Sequence, residues 1–200
     1  MTPNERNKFD KRDSLELGNT AQETFRDIAI QRGWEVIQAT EEQDIREHWD
    51  FMIIKNSSGE KLYVDIKALK RLSRWDENVQ EEWEWIEFHG VRHDDCGWLF
   101  GGKADLFAFE RKDDFVIIKK DTLQYLANTL VDKSKRVQKA SESKYKIYSR
   151  QGRHDSISMI EMKHIVRECW EIWPKADRVL ETPSKESTRD KSQRQTLNRS

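Results

Sequence analysis

Two apolar runs joined by a five-residue turn constrain this chain more than any other feature of it. WDFMIIK at 49–55 and KLYVDIKAL at 61–69 are rich in β-branched and aromatic residues, and NSSGE between them has the make-up of a hairpin turn. Within the second run, Asp65 and Lys67 stand on either side of a single isoleucine. In a strand, residues i and i+2 share a face. The acid and the amine therefore project together, while Val64, Ile66 and Ala68 face the other way. Asp50 opens the first run, and in a hairpin that end lies beside the end of the returning strand. Asp50 is thus expected to approach Asp65. Converging carboxylates repel one another unless a cation sits between them. Hard oxygen ligands with open positions suit Mg2+, with Mn2+ as a substitute. Lys67 would then reach a scissile phosphate or the attacking water.

The surrounding pattern predicts an α/β order. Leu17, Ala21, Phe25, Ile28 and Ala29 have helical spacing across Leu15–Arg32, and Gly33 is a stop signal. Glu23 lies on the hydrophilic side of that helix and is a candidate third acid. A short strand is expected over 34–39, then a charged loop, TEEQDIREH, before the hairpin. After a basic connector come an alternating strand over 82–88, a glycine-bearing loop, and strands in KADLFAFE and DFVIIKK. Asp121 suits the N-cap of a helix from Thr122 to about Val131. A basic segment, KSKRVQKASESK, precedes a second hairpin of YKIYSR and SISMIEM, and MKHIVRECWEIW is the last amphipathic stretch. The domain boundaries expected are a flexible lead-in over 1–14, one folded unit over 15–175, and a disordered polar tail over 176–200.

A helix with an acid, a strand, then a hairpin carrying Asp on one strand and Asp-x-Lys on the next resembles the PD-(D/E)XK nuclease superfamily. The motif reads HWD at 48–50 and DIK at 65–67, with Trp49 where the family commonly has proline. The resemblance covers roughly residues 15 to 130, and the later segments look like those of small phage or mobile-element nucleases. It implies a restriction-endonuclease-like fold, with a mixed central sheet flanked by helices. Carried over by position, it makes Asp50 and Asp65 Mg2+ ligands, joined by the carbonyl of Ile66, and Glu23 the first-helix acid. Lys67 becomes the residue that orients or activates water. The implied activity is metal-dependent hydrolysis of phosphodiester bonds in DNA, with a structure-selective, Holliday-junction-resolvase-like role suiting the small size. A homodimer is one arrangement that would cut both strands. The other reading is a non-catalytic nucleic-acid- or partner-binding protein on the same fold. An isolated edge-strand ion pair, worth about 0–1 kcal/mol, would account for Asp65 and Lys67 but not for the placement of Asp50 and Glu23.

Charge is balanced overall, 36 Lys and Arg against 37 Asp and Glu, but segregated along the chain. Residues 76–95 hold eight acids and one base, whereas 132–153 hold eight bases and two acids. Lys70, Arg71 and Arg74 follow the Asp-x-Lys strand, and with Lys135, Arg136, Arg150 and Arg153 they are candidate phosphate contacts. Tyr145, Tyr148 and Trp75 offer stacking surfaces for unpaired bases. Trp83, Trp85 and Phe88 read as core. His89, His93, Asp94, Asp95 and Cys96 cluster within one loop, and with His154 could bind zinc. Lacking a second compact ligand pair, the loop reads instead as polar and beside the site rim. Cys96 and Cys169 are the only cysteines, too few for a disulfide framework. No run of about 18 apolar residues is present, and the N-terminus lacks the apolar stretch of a secretory signal. A cytoplasmic setting is expected, that of the host if the chain is phage-encoded, with no membrane partner.

Overall fold

A computed structural model of the chain describes residues 3–70, 79–91, 94 and 96–175, with side chains from Leu17 onward. The elements run α1 (Pro3–Gln31), β1 (Trp34–Gln38), α2 (Glu41–Glu47), β2 (Phe51–Lys55), β3 (Lys61–Lys67), β4 (Trp83–His89), α3 (Gly97–Gly101) and β5 (Leu106–Glu110). They continue with β6 (Asp114–Lys119), α4 (Lys120–Leu130), β7 (Asp132–Val137), β8 (Lys146–Tyr148), β9 (Ser156–Glu161), α5 (Met162–Arg167) and β10 (Glu171–Pro174). The fold is α/β, with mixed sheets flanked by helices. Six strands form the first sheet in the order β1-β2-β3-β5-β6-β10, in which β3 and β5 are parallel and every other pair antiparallel. The sequence pointed to this sheet but not to a second, four-stranded one in the order β4-β9-β8-β7. Among the described residues, no helix is long and apolar enough to cross a membrane.

Alternation along the strands builds two cores, one on each face of the first sheet. Val64 and Ile66 of β3 and Leu106 and Ala108 of β5 pack with Ala21, Phe25, Ile28 and Ala29 of α1. Phe107 and Phe109 point the other way, into a core shared with Ile86 of β4, Leu99 of α3, Leu123 of α4 and Ile160 of β9. Asp65 and Lys67 belong to this second face by the same alternation. Phe25 is fully buried, stacked 5.1 Å from Trp173 and edge-on to Phe115 at 5.5 Å. Removing its ring leaves a cavity between α1 and three strands. Phe25→Ala is expected to cost about 3–5 kcal/mol, read by urea unfolding, and a loss below about 1 kcal/mol would show that the ring does not anchor α1.

Several boundaries differ from the sequence reading. The segment read as a charged loop is α2, held by a capping box. Thr40 Oγ1 accepts from Gln43 N at 3.3 Å, and the Thr40 N–H donates to Gln43 Oε1 at 2.9 Å. α1 starts at Pro3, inside the residues read as a lead-in. α4 starts at Lys120, with Asp121 in its first turn rather than at the cap. The basic segment from Asp132 is an edge strand, exposed at Lys133, Ser134, Lys135 and Arg136. The last stretch splits into α5 and β10, which returns antiparallel to β6 and buries Trp173. The tail lies outside the described residues.

Candidate functional site

The β2–β3 hairpin is in register Phe51↔Val64 through Ile54↔Lys61, with its turn closed by Lys55 N–H donating to Glu60 O at 2.8 Å. Gly59 has φ +72, the left-handed conformation that glycine adopts without strain. One residue beyond the paired register, the Asp50 N–H donates to Val64 O at 2.8 Å, while Ala39 N–H donates to Asp50 O at 2.8 Å. Both bonds fix the Asp50 backbone between β1 and β3. Its side chain then meets β3 directly, with Oδ2 accepting from the Ile66 N–H at 2.6 Å. Residues two apart on a strand direct their backbone groups to the same side. Ile66 therefore sends its carbonyl toward the edge that Asp50 occupies.

Asp50 is 9% exposed and Asp65 6% exposed. Burial, and after it the charge of Asp65, push the Asp50 carboxyl up to about 7 against the pull of the Ile66 N–H and Lys67. Its Oδ1 accepts from Gln22 Nε2 of α1 at 2.7 Å. The Lys67 ammonium lies 2.6 Å from Asp65 Oδ2, within charge-pairing distance. Apart from this ion pair, the buried Oδ2 has no hydrogen-bond partner. Lys67 also sits 4.3 Å over the Trp98 ring of α3, and that ring packs edge-on to Phe107 at 4.8 Å. The amine is thus held between an acid and an aromatic face. Asp44, exposed on α2, is raised by desolvation and then by Asp65, and lowered by Lys67 and His48.

Of the residues singled out in the sequence, Asp50, Asp65, Ile66 and Lys67 come together. Glu23 does not join them, because it is exposed on α1. The stripe of Ala21, Phe25 and Ala29 explains the difference: Gln22 stands three before Phe25 and flanks the stripe, whereas Glu23 stands two before it and points away. Gln22 is therefore the α1 residue that reaches the acids. Glu84 was missed altogether. It is 5% exposed on β4 and pushed up to about 8 by burial, although Lys70 and Lys67 pull the other way. Lys70 keeps exposed surface, yet desolvation of its ammonium and the neighbouring Lys67 lower it, opposed by Glu84 and Asp65. Alternation alone did not single out Glu84, because Trp83 and Trp85, read as core, occupy the other face of the strand.

Among the described residues, no group of three or more His, Cys, Asp and Glu side chains is placed to hold a metal. A cation at this site would have two carboxylates, and Asp65 Oδ2 is a buried oxygen that its surroundings leave without a hydrogen bond. That donor set fits Mg2+ or Mn2+, which take one or two carboxylates and fill their remaining positions with water and phosphate oxygen. Zinc finds no support among the described residues: Cys96 and His154 are exposed, and His93 and Asp95 lie outside them. His89 is the last residue of β4, and α3, the next element in the chain, carries the Trp98 ring that meets Lys67.

The basic candidates divide. Arg71 and Arg74 lie outside the described residues. Lys135 and Arg136 are exposed on the edge strand β7, with the Lys135 ammonium 2.9 Å from Asp132 Oδ2. Arg153 is exposed in the β8–β9 turn. Arg150 is not available in the same way, because its backbone N–H and its guanidinium both hold the fully buried Asp155. Its guanidinium is partly exposed but engaged in closing the turn.

No protein-family model matches the chain, and no curated protein does. Among solved structures, the chain is similar to a bacterial homing endonuclease at 16% identity and a TM-score of 0.39, over 54% of this chain and 70% of that one.

Proposed function

We propose that this chain is a metal-dependent endonuclease that hydrolyses phosphodiester bonds in DNA, on a PD-(D/E)XK-type core of α1, β1, the β2–β3 hairpin and β5. The observation that carries the reading is the buried Asp50–Asp65 pair with Lys67 against Asp65 Oδ2. Burying adjacent acids is unfavourable, as the rise of Asp50 to about 7 expresses, and such groupings cluster at sites of chemistry. In this reading Asp50, Asp65 and the Ile66 carbonyl hold a divalent cation. When bound, that cation would offset phosphate charge and make a water more acidic. Gln22 and the Ile66 N–H fix the Asp50 carboxylate. The Lys67 amine, steadied by Trp98, faces the phosphate and orients the attacking water. Asp44 and Lys70 stand at the rim.

Structure-selective cutting of branched DNA, by a homodimer presenting two such sites, is the finer form of this proposal. The test is incubation of the protein with linear, nicked and four-way DNA in Mg2+, in Mn2+ and in EDTA. The expected result is cleavage with either metal, none in EDTA, and preference for the branched substrate. Intact DNA in both metals at micromolar protein would overturn the reading in favour of a binding protein.

A further inference from the structure

Resting on that reading, we propose that the cleft between β4, α3 and β7 receives one unpaired nucleotide of a single-stranded segment, with its base against Phe88 and Phe100 and its phosphate on Lys133 and Arg136. The cleft has a volume of about 340 Å³ and is lined by these four residues with His89, Ile147 and Ser156. Phe88 and Phe100 stack on each other at 5.7 Å with planes 26° apart, and both are only partly buried. The Lys133 ammonium lies 5.0 Å from the Phe88 ring and 5.7 Å from that of Phe100, and donates to Asn128 Oδ1 at 2.6 Å. Arg136 Nη1 donates to Ser149 Oγ at 3.5 Å. Each of these cations leans on a neutral partner, and among the described residues no acid lines the cleft. It therefore selects an anion that also carries an aromatic face, and a recess of this size takes one base rather than a base pair.

A second recess, of about 400 Å³, shows why charge decides. Lys103, Lys119 and Lys120 line it, but so do Glu60, Asp105 and Asp121, so it offers no net attraction to phosphate. In the Phe88–Phe100 cleft, an exposed contact between Lys133 and the rings is weaker than stacking of a base. An entering base displaces the ammonium, whose exposed stem leaves it free to follow the phosphate. Phe100 is two residues from Trp98, so α3 joins this cleft to the carboxylate pair.

The experiment uses the full chain in EDTA, so that binding is read without cleavage. The probe is a fluorescein-labelled oligothymidylate bearing one 5-iodouracil, compared with a hairpin duplex of equal length. Expected are photocrosslinks to Phe88 or Phe100 with the single strand, and a roughly tenfold weaker affinity for Phe100→Leu. Lys133→Ala and Arg136→Ala, both at exposed positions, should each lower the slope of log affinity against log salt by about 0.7, whatever Phe100→Leu does to folding. Crosslinks that map elsewhere, or wild-type affinity and salt slope in these variants, overturn the proposal. The two readings fail separately: DNA cleavage without a crosslink in the cleft removes only this one, and a crosslink without cleavage in any metal removes only the nuclease.

Discussion

Lys67→Met and Asp65→Asn are each expected to lower the cleavage rate roughly a hundred- to a thousandfold, the loss that follows removal of one charged group aimed at a transition state. Their effects on stability should differ, and the difference identifies the pair. Lys67 and Asp65 side chains are 16% and 8% exposed, with nitrogen and oxygen 2.6 Å apart. Removing the amine leaves a buried acid beside Asp50, a change expected to cost about 3–5 kcal/mol at neutral pH. Methionine keeps the contact with Trp98, so the loss is one of charge more than of packing. Removing the acid leaves the ammonium on the Trp98 face, with solvent nearby, and costs less. The double variant should recover much of the stability lost by Lys67→Met, because neither charge is then stranded. In cleavage the double variant should be no worse than either single one, as for groups acting as a unit. Urea unfolding and single-turnover rates on the four proteins close this cycle. Additive losses in both quantities would mean that Asp65 and Lys67 do not work together.

The hairpin was legible because a period of two leaves little choice. Once Val64 and Ile66 face α1, Asp65 and Lys67 must face the other core, and the short turn brings Asp50 opposite. What was not legible came from helical phase and from faces shared across sheets. Glu23 attracted attention as an acid, but one residue along a helix is a rotation of about 100°, and the neutral Gln22 holds the inward position. Glu84 sits in EWEWIEF among residues read as a simple alternation, and only the second sheet, absent from the sequence reading, turns it toward Lys70 and Lys67. α2 carried a visible signal in Thr40 and Gln43, outweighed by its lack of buried residues. β7 has no apolar alternation to detect, since an edge strand exposed along most of its length needs none. β10 was hidden by its continuity with α5, and its fully buried Trp173 is the residue that fixes it against Phe25.

Asp50→Asn is expected to make the protein more stable, and the gain should depend on pH. The Asp50 carboxyl rises from 3.8 to about 7, chiefly by burial and then by the charge of Asp65. Between those values the unfolded chain has released this proton while the folded chain still holds it. The folded state binds more protons throughout that window, so stability contributed by Asp50 is full below pH 3.8 and is lost as pH rises through 7. At about 1.4 kcal/mol per pH unit, the accumulated loss approaches roughly 4 kcal/mol. Asparagine has no proton to release and can keep the local hydrogen bonds. Its Oδ1 accepts from the Ile66 N–H, and its amide meets the Gln22 side chain once that amide turns over. The stability difference between variant and wild type should therefore be near zero at pH 4 and grow to several kcal/mol by pH 8. Glu84 titrates up to about 8 as well, but it is common to both proteins and cancels in the difference. The same substitution should abolish the stabilisation that Mg2+ gives the wild-type protein, since a ligand that binds only the folded state raises its stability and asparagine lacks the charge to hold it. Parallel unfolding curves for the two proteins from pH 4 to 8, with equal responses to Mg2+, would mean that Asp50 is neither strained by its burial nor paired with Asp65.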